Sequence, residues 1–91
     1  MDIMETIRAR YSEVSSVQKR IADYCLEHPD AASFQTLREF AQTTHTTDAT
    51  VLKFCSNMGC QGFLVFRRQL QEYVRMRLRP NEKVRMSLAR S

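Results

Sequence analysis

Between Thr47 and Asn57 the chain reads T-D-A-T-V-L-K-F-C-S-N, a run whose hydrogen-bonding side chains are spaced to share one side of a helix. At about 100° per residue, Ala49, Lys53 and Ser56 fall together, opposite Val51, Phe54, Cys55 and Met58, with Leu52 and Asn57 at the margins. Small side chains allow close approach to base edges in a major groove, and a lysine can donate to guanine O6 and N7 or pair with a phosphate. Asp48 can accept from cytosine N4, although an acid in a first helical turn also answers the helix dipole. The same pattern fits a short amphipathic helix with a polar exterior, so periodicity leaves both readings open.

Other chemistry finds little support. Cys25, Cys55 and Cys60 are odd in number and form no C-x-x-C pair, which predicts neither a disulfide framework nor a zinc ribbon and fits a reduced, cytosolic compartment. Cys25 and Cys55 fall on apolar faces, where a thiol acts as a small hydrophobe. With His28 and His45 scattered, and no nucleophile-base pair, paired carboxylates or phosphate loop, the chain reads as a non-enzyme without metal or cofactor. Phe54, Phe63 and Phe66 recur at helical spacing among other apolar residues, which predicts core packing instead of base stacking.

The elements that must carry this face are helical. Two glycines and two prolines punctuate 91 residues and no β-branched alternation occurs, so the expected fold is all-α: a compact bundle of about five helices. A chain this short buries only around 60% of its unfolded surface, enough for one core, and that favours a binding module over a deep catalytic scaffold. Ile3, Met4, Ile7 and Tyr11 mark a first helix over about residues 2–11, whose apolar stripe is a candidate dimer surface. Ser15 with Gln18 forms a capping-box pattern ahead of Ile21, Ala22, Cys25 and Leu26, and Pro29 ends that second helix.

A looser segment, DAASFQ, leads to Thr36, whose hydroxyl can cap a short helix bearing Leu37, Phe40 and Ala41. A tight turn at Thr44 to Thr46 then precedes the helix capped by Thr47. After the loop GCQG, Gly62 opens a last helix with Phe63, Phe66, Leu70, Tyr73 or Val74, and Leu78 on its inner side. It is expected to reach about Arg79, with Pro80 and Asn81 breaking it and residues 80–91 forming a linker or tail. The net charge of +4 is uneven: residues 1–66 hold six Lys/Arg against eight Asp/Glu, and residues 67–91 hold eight against two. The basicity is a C-terminal feature, and the case for nucleic acid has to come from pattern.

No stretch approaches the ~20 apolar residues of a membrane span, and Asp2 and Glu5 stand where a secretion leader would be basic. The segment FLVFRRQLQEYVRMRLR is basic and amphipathic, but its apolar residues are needed for the core, so no membrane partner is expected.

A helix-turn-helix joins two helices through three or four residues, with a small residue in the first where the second crosses. Phe40-Ala41, the turn at Thr44 to Thr46, and the anchors Val51 and Phe54 meet that requirement. The segment TLREFAQTTHTTDATVLKFCSNMGCQGFLVFR, together with SSVQKRIADYCLEHPD upstream, resembles the amino-terminal, homeodomain-like helix-turn-helix domain of the RpiR family of bacterial transcription regulators. The resemblance covers about residues 12–75, and its most specific part runs from Ala49 to Phe63. It implies sequence-specific binding of double-stranded DNA by a cytoplasmic, nucleoid-associated regulator of sugar or sugar-phosphate metabolism. It also implies a following sugar-isomerase-type domain that senses a phosphorylated sugar. This chain has no room for that domain, so it is expected to be the amino-terminal piece of a longer regulator or else a stand-alone version, with residues 1–79 the DNA-binding domain and 80–91 a linker or tail toward the absent domain. The family commonly has Gly where this chain has His45, which would need a positive φ, and an apolar residue where it has Thr46.

The expected DNA-binding residues follow from both lines of reasoning. Thr47, Asp48, Ala49, Lys53 and Ser56 face the groove, flanked by Thr46, Thr50 and Asn57. Gln35 and Thr36, at the start of the motif's first helix, and Gln61, Arg67 and Arg68, near the helix start after Gly62, would meet phosphates. Helix-turn-helix proteins generally bind as dimers to inverted half-sites about one helical turn apart, so a homodimer is expected. The rival from another class is a helical protein-interaction module using the same face.

Overall fold

The computed structural model describes the backbone of residues 2–90 and the side chains of residues 2–77. Among the described residues the chain forms six α-helices and no strand: α1 (Ile3–Arg10), α2 (Ser16–Glu27), α3 (Pro29–Ala32), α4 (Leu37–Thr43), α5 (Asp48–Asn57) and α6 (Phe63–Arg90), with a 3-10 turn at Tyr11–Glu13. One helix more than expected appears because DAASFQ begins just after a single turn, α3, that Pro29 opens at its first position. Four residues are too few to produce a periodic signal.

Local chemistry sets the helix starts. The Asp2 carboxylate accepts from the Glu5 N–H at 2.8 Å, and the Thr36 hydroxyl accepts from the Glu39 N–H at 3.2 Å while the Glu39 carboxylate takes the Thr36 N–H at 2.9 Å. At α2 the expected box forms by half. The Ser15 hydroxyl accepts from the Gln18 N–H at 3.2 Å, but the Gln18 side chain turns inward to accept from the Asn57 amide at 2.8 Å.

The two ends that frame α5 share one geometry. After α4, the His45 N–H donates to the Gln42 carbonyl and the Thr46 N–H to the Ala41 carbonyl, at 3.1 and 2.9 Å. After α5, the Gly59 N–H donates to Ser56 and the Cys60 N–H to Cys55, both at 2.9 Å. Each is a Schellman turn, which places one residue at positive φ: 57° for His45 and 84° for Gly59. After α5 the next residue is the buried Cys60, whereas after α4 the apolar residue that often follows such a turn is replaced by a hydrogen-bonded pair. The Thr44 hydroxyl donates to the Phe40 carbonyl at 2.9 Å and receives the Thr46 hydroxyl at 2.9 Å.

An L-residue in this region costs roughly 1–2 kcal/mol, partly offset in a glycine by its greater unfolded-state freedom. His45→Gly is therefore expected to stabilise the domain by about 0.5–1 kcal/mol, raising Tm by roughly 3–6 °C. A Tm that stays level or falls would show that the His45 side chain contributes more than its backbone costs.

The core gathers Phe40, Phe54 and Phe66 with Met4, Ile7, Ile21, Val51 and Leu70, all fully buried. Phe40 meets Tyr24, Phe63 and Phe66 edge to face, with centroids 5.5, 5.6 and 6.2 Å away, and Phe66 meets Phe54 at 5.8 Å. This is the core role expected of the phenylalanines. The α1 stripe departs from expectation. Ile3, Met4 and Ile7 are buried against α2 and α6, and Tyr11 is half-buried with its hydroxyl donating to Asp23 at 2.8 Å. The apolar side of α1 is used within the chain, so Met4, Ile7 and Tyr11 do not form a dimer surface.

The last helix also departs from expectation. It continues past Pro80 to Arg90, since a proline inside a helix removes one rung of the ladder without having to end it. The side chain of Leu78, expected on the inner face, lies outside the described residues, as do those of residues 80–91.

Candidate nucleic-acid interface

α4 and α5 pack against each other through the buried Ala41, Val51 and Phe54, and the absence of bulk at Ala41 lets α5 cross closely. The far end of α5 is tied from two other helices. Arg10 on α1 donates to the Asn57 carbonyl at 2.6 Å, and the Asn57 amide donates to the Gln18 side chain, which is only 5% exposed. A cation meeting the last carbonyl of a helix also answers its dipole. α5 is thus held along its core face by packing and at its C-terminus by polar bonds.

The outward face of α5 carries Ala49, Leu52, Lys53 and Ser56, all exposed, with Asp48 and Thr50 partly covered. Lys53 has no ion-pair partner among the described residues. Thr47 caps the helix, its hydroxyl accepting from the Thr50 N–H at 3.2 Å and lying 3.0 Å from the Thr50 hydroxyl. The cap leaves Thr47 exposed at the helix start, beside Asp48.

The structure thus brings Thr47, Asp48, Ala49, Lys53 and Ser56 together on one surface. Other expected contact residues are engaged within the protein. Gln35 accepts from the Tyr24 hydroxyl at 2.7 Å and donates to the Thr43 hydroxyl at 3.0 Å, and its carbonyl accepts from Arg67 at 3.2 Å. The Arg67 guanidinium also lies over the Phe63 ring, 6.0 Å from its centroid. Asn57 is spent on Gln18, and Thr46 on Thr44. Thr36 is exposed, but its N–H is taken by Glu39. Gln61 and Arg68 are exposed at the start of α6, where Gly62, at φ 146°, supplies no side-chain cap.

One residue beside this surface carries no sequence signal. Arg38, in the first turn of α4, reaches across to Asp48, with 4.0 Å between guanidinium nitrogen and carboxylate oxygen. A cation on an exposed helix face looks the same in sequence whether or not it leans toward a neighbouring helix.

Among the described residues no group of three or more His, Cys, Asp or Glu could hold a metal, and no helix is long and apolar enough to cross a membrane. Burial pushes the Cys55 thiol up to about 12, with Cys60 adding to the effect, and shifts Cys25 and Cys60 upward as well, so all three stay protonated near neutral pH.

The helix-turn-helix domain of the rpiR family matches residues 1–77. An HTH-type transcriptional regulator of Haemophilus influenzae is 32% identical over 69 residues, which are 76% of this chain and 24% of that protein. The bifunctional protein glk of Paraburkholderia xenovorans is 29% identical over 68 residues, 75% of this chain and 11% of that protein. The chain therefore spans about a quarter or less of the curated relatives it matches.

Two solved structures are similar in fold. The N-terminal domain of ybbH from Bacillus subtilis aligns with a TM-score of 0.72 at 25% identity, over 76% of this chain and 84% of that one. Vibrio vulnificus NanR complexed with ManNAc-6P aligns with a TM-score of 0.76 at 29% identity, over 99% of this chain and 34% of that one. With the family match running from α1 through the first half of α6, the chain belongs to the rpiR family of helix-turn-helix transcriptional regulators.

Proposed function

We propose that this domain binds double-stranded DNA sequence-specifically, with α5 lying in the major groove, and that it does so as a homodimer on an inverted repeat. The observation that carries the reading is the outward face of α5: small side chains around Lys53, which lacks an ion-pair partner among the described residues, on a helix held by α4, α1 and α2. Lys53 donates to a guanine or a phosphate, and Ala49 and Ser56 let the helix seat closely. With the α1 stripe buried, the candidate dimer contact is the outer side of α6, where a groove of about 380 Å³ beside the start of α1 is lined by Tyr73 and the exposed Met76.

The regulated genes serve sugar or sugar-phosphate metabolism, and a phosphorylated sugar acts as effector on a domain outside this chain. This part of the reading is supported by the likeness to NanR, which was solved with ManNAc-6P, and to the glk proteins. The protein works in the cytoplasm, at the nucleoid.

Selection of the chain against a random duplex library, followed by a salt titration on the winning site, tests the reading. Recovery of an inverted repeat bound with a steep negative salt slope is expected. A folded protein that enriches no motif, even when two copies are fused to a dimerising coiled coil, would instead point to a protein partner for the same face.

A further inference from the structure

Asp48 presents a difficulty for a groove-facing helix. It sits at the first position of α5, on the side that approaches DNA, and a carboxylate there is repelled by phosphates unless it accepts from a base amine or is neutralised within the protein. The structure supplies the second arrangement. Arg38 leans from α4 to within 4.0 Å of Asp48, and its side chain remains 79% exposed while that of Asp48 is 45% exposed. A single contact at this distance leaves most of the five guanidinium donors available.

Such an exposed pair contributes little to folding. Its consequence is for placement: it biases a long, exposed side chain toward one side of the helix-turn-helix. In helix-turn-helix docking the first helix crosses the DNA backbone while the second enters the groove. Arg38 lies on that first helix, and residues 1–66 hold six Lys/Arg against eight Asp/Glu, so this part of the chain has few cations to offer a phosphate.

We propose that Arg38 is a phosphate-binding residue of this domain and that Asp48 is the positioning residue that aims it, acting on DNA through Arg38 and not by reading a base. The inference rests on the reading of α5 as the groove helix. It adds a contact from α4 and removes Asp48 from the residues that specify sequence.

The test uses the duplex recovered by selection and a set of its single-base variants. Arg38→Ala is expected to weaken binding about tenfold, the loss of one charge-assisted hydrogen bond, by the same factor on every variant, and to reduce the salt slope by about one. Arg38→Lys should restore the slope, because the charge returns. Asp48→Asn removes a repulsive charge as well as the aim, so its effect is read in both backgrounds. Affinity should rise in the Arg38→Ala protein, and should rise less, or fall, when Arg38 is present.

Unchanged affinity and slope in Arg38→Ala would overturn the proposal. So would a loss confined to one base position, which would make Arg38 a base reader, or an identical effect of Asp48→Asn in both backgrounds, which would make the two residues independent. Failure of the underlying reading looks different: the unsubstituted protein itself would select no duplex and show no steep salt dependence.

Discussion

Phe40→Ala is expected to cost about 3–5 kcal/mol of folding free energy. The ring is fully buried and meets three aromatic neighbours edge to face, so truncation removes transfer energy, opens a cavity and loses the aromatic contacts together. Tyr24, Phe63 and Phe66 come from two different helices and cannot all close on the space without moving α4, which carries half of the helix-turn-helix. A small domain has about 5–15 kcal/mol in total, so the loss removes roughly a fifth of the stability at the least and all of it at the most, and the urea midpoint should fall in the same proportion. Phe34→Ala is the control. That ring is 78% exposed, and its loss should change stability by less than about 0.5 kcal/mol. A Phe40→Ala cost below about 1 kcal/mol would mean that the aromatic cluster does not hold α4 against α6.

Charge reversal at Lys53 is expected to have the largest effect on binding. Lys53→Ala should lower specific affinity by about 1–3 kcal/mol if the lysine reads a base. Lys53→Glu adds repulsion from phosphates and should cost about 3 kcal/mol or more, roughly a hundredfold. Both changes should leave Tm within about 2–4 °C of the parent, since Lys53 is exposed and makes no ion pair among the described residues. Unaltered binding by the Glu variant on a selected site would remove Lys53 from the reading face.

The helix-turn-helix was legible because each of its parts has a local signal. Thr36 and Thr47 cap, Phe40-Ala41 and Val51-Phe54 repeat at helical spacing, and the turn from Thr44 to Thr46 is short. Even the positive φ of His45 could be anticipated, since it stands where the family commonly has Gly. What escaped were relations between elements. The stripe of Ile3, Met4 and Ile7 announces an apolar face but not which surface will cover it, and here α2 and α6 do so.

Gln18 illustrates the same point. Its spacing from Ser15 suits a capping box, yet a buried amide gains more by accepting from Asn57, 39 residues away, than by bonding an N–H that water could satisfy. The Gln35–Arg67 and Arg38–Asp48 pairs are likewise tertiary, and no spacing rule reports them. Pro80 shows the opposite case, a strong local stop signal that the helix runs through. Of the candidate site, the face of α5 was therefore readable from its own eleven residues, whereas the partition of the flanking polar residues into free and engaged was not.

The most direct test of α5 as the groove helix is an NMR titration of the isotopically labelled chain with the selected duplex, followed at backbone amides and at the Lys53 ammonium. Shift changes are expected to peak at Thr47, Asp48, Ala49, Lys53 and Ser56, with smaller changes at the start of α4 and none along the buried stripe of α1. Changes concentrated on α6 or α1, with the outward face of α5 silent at saturation, would contradict the account.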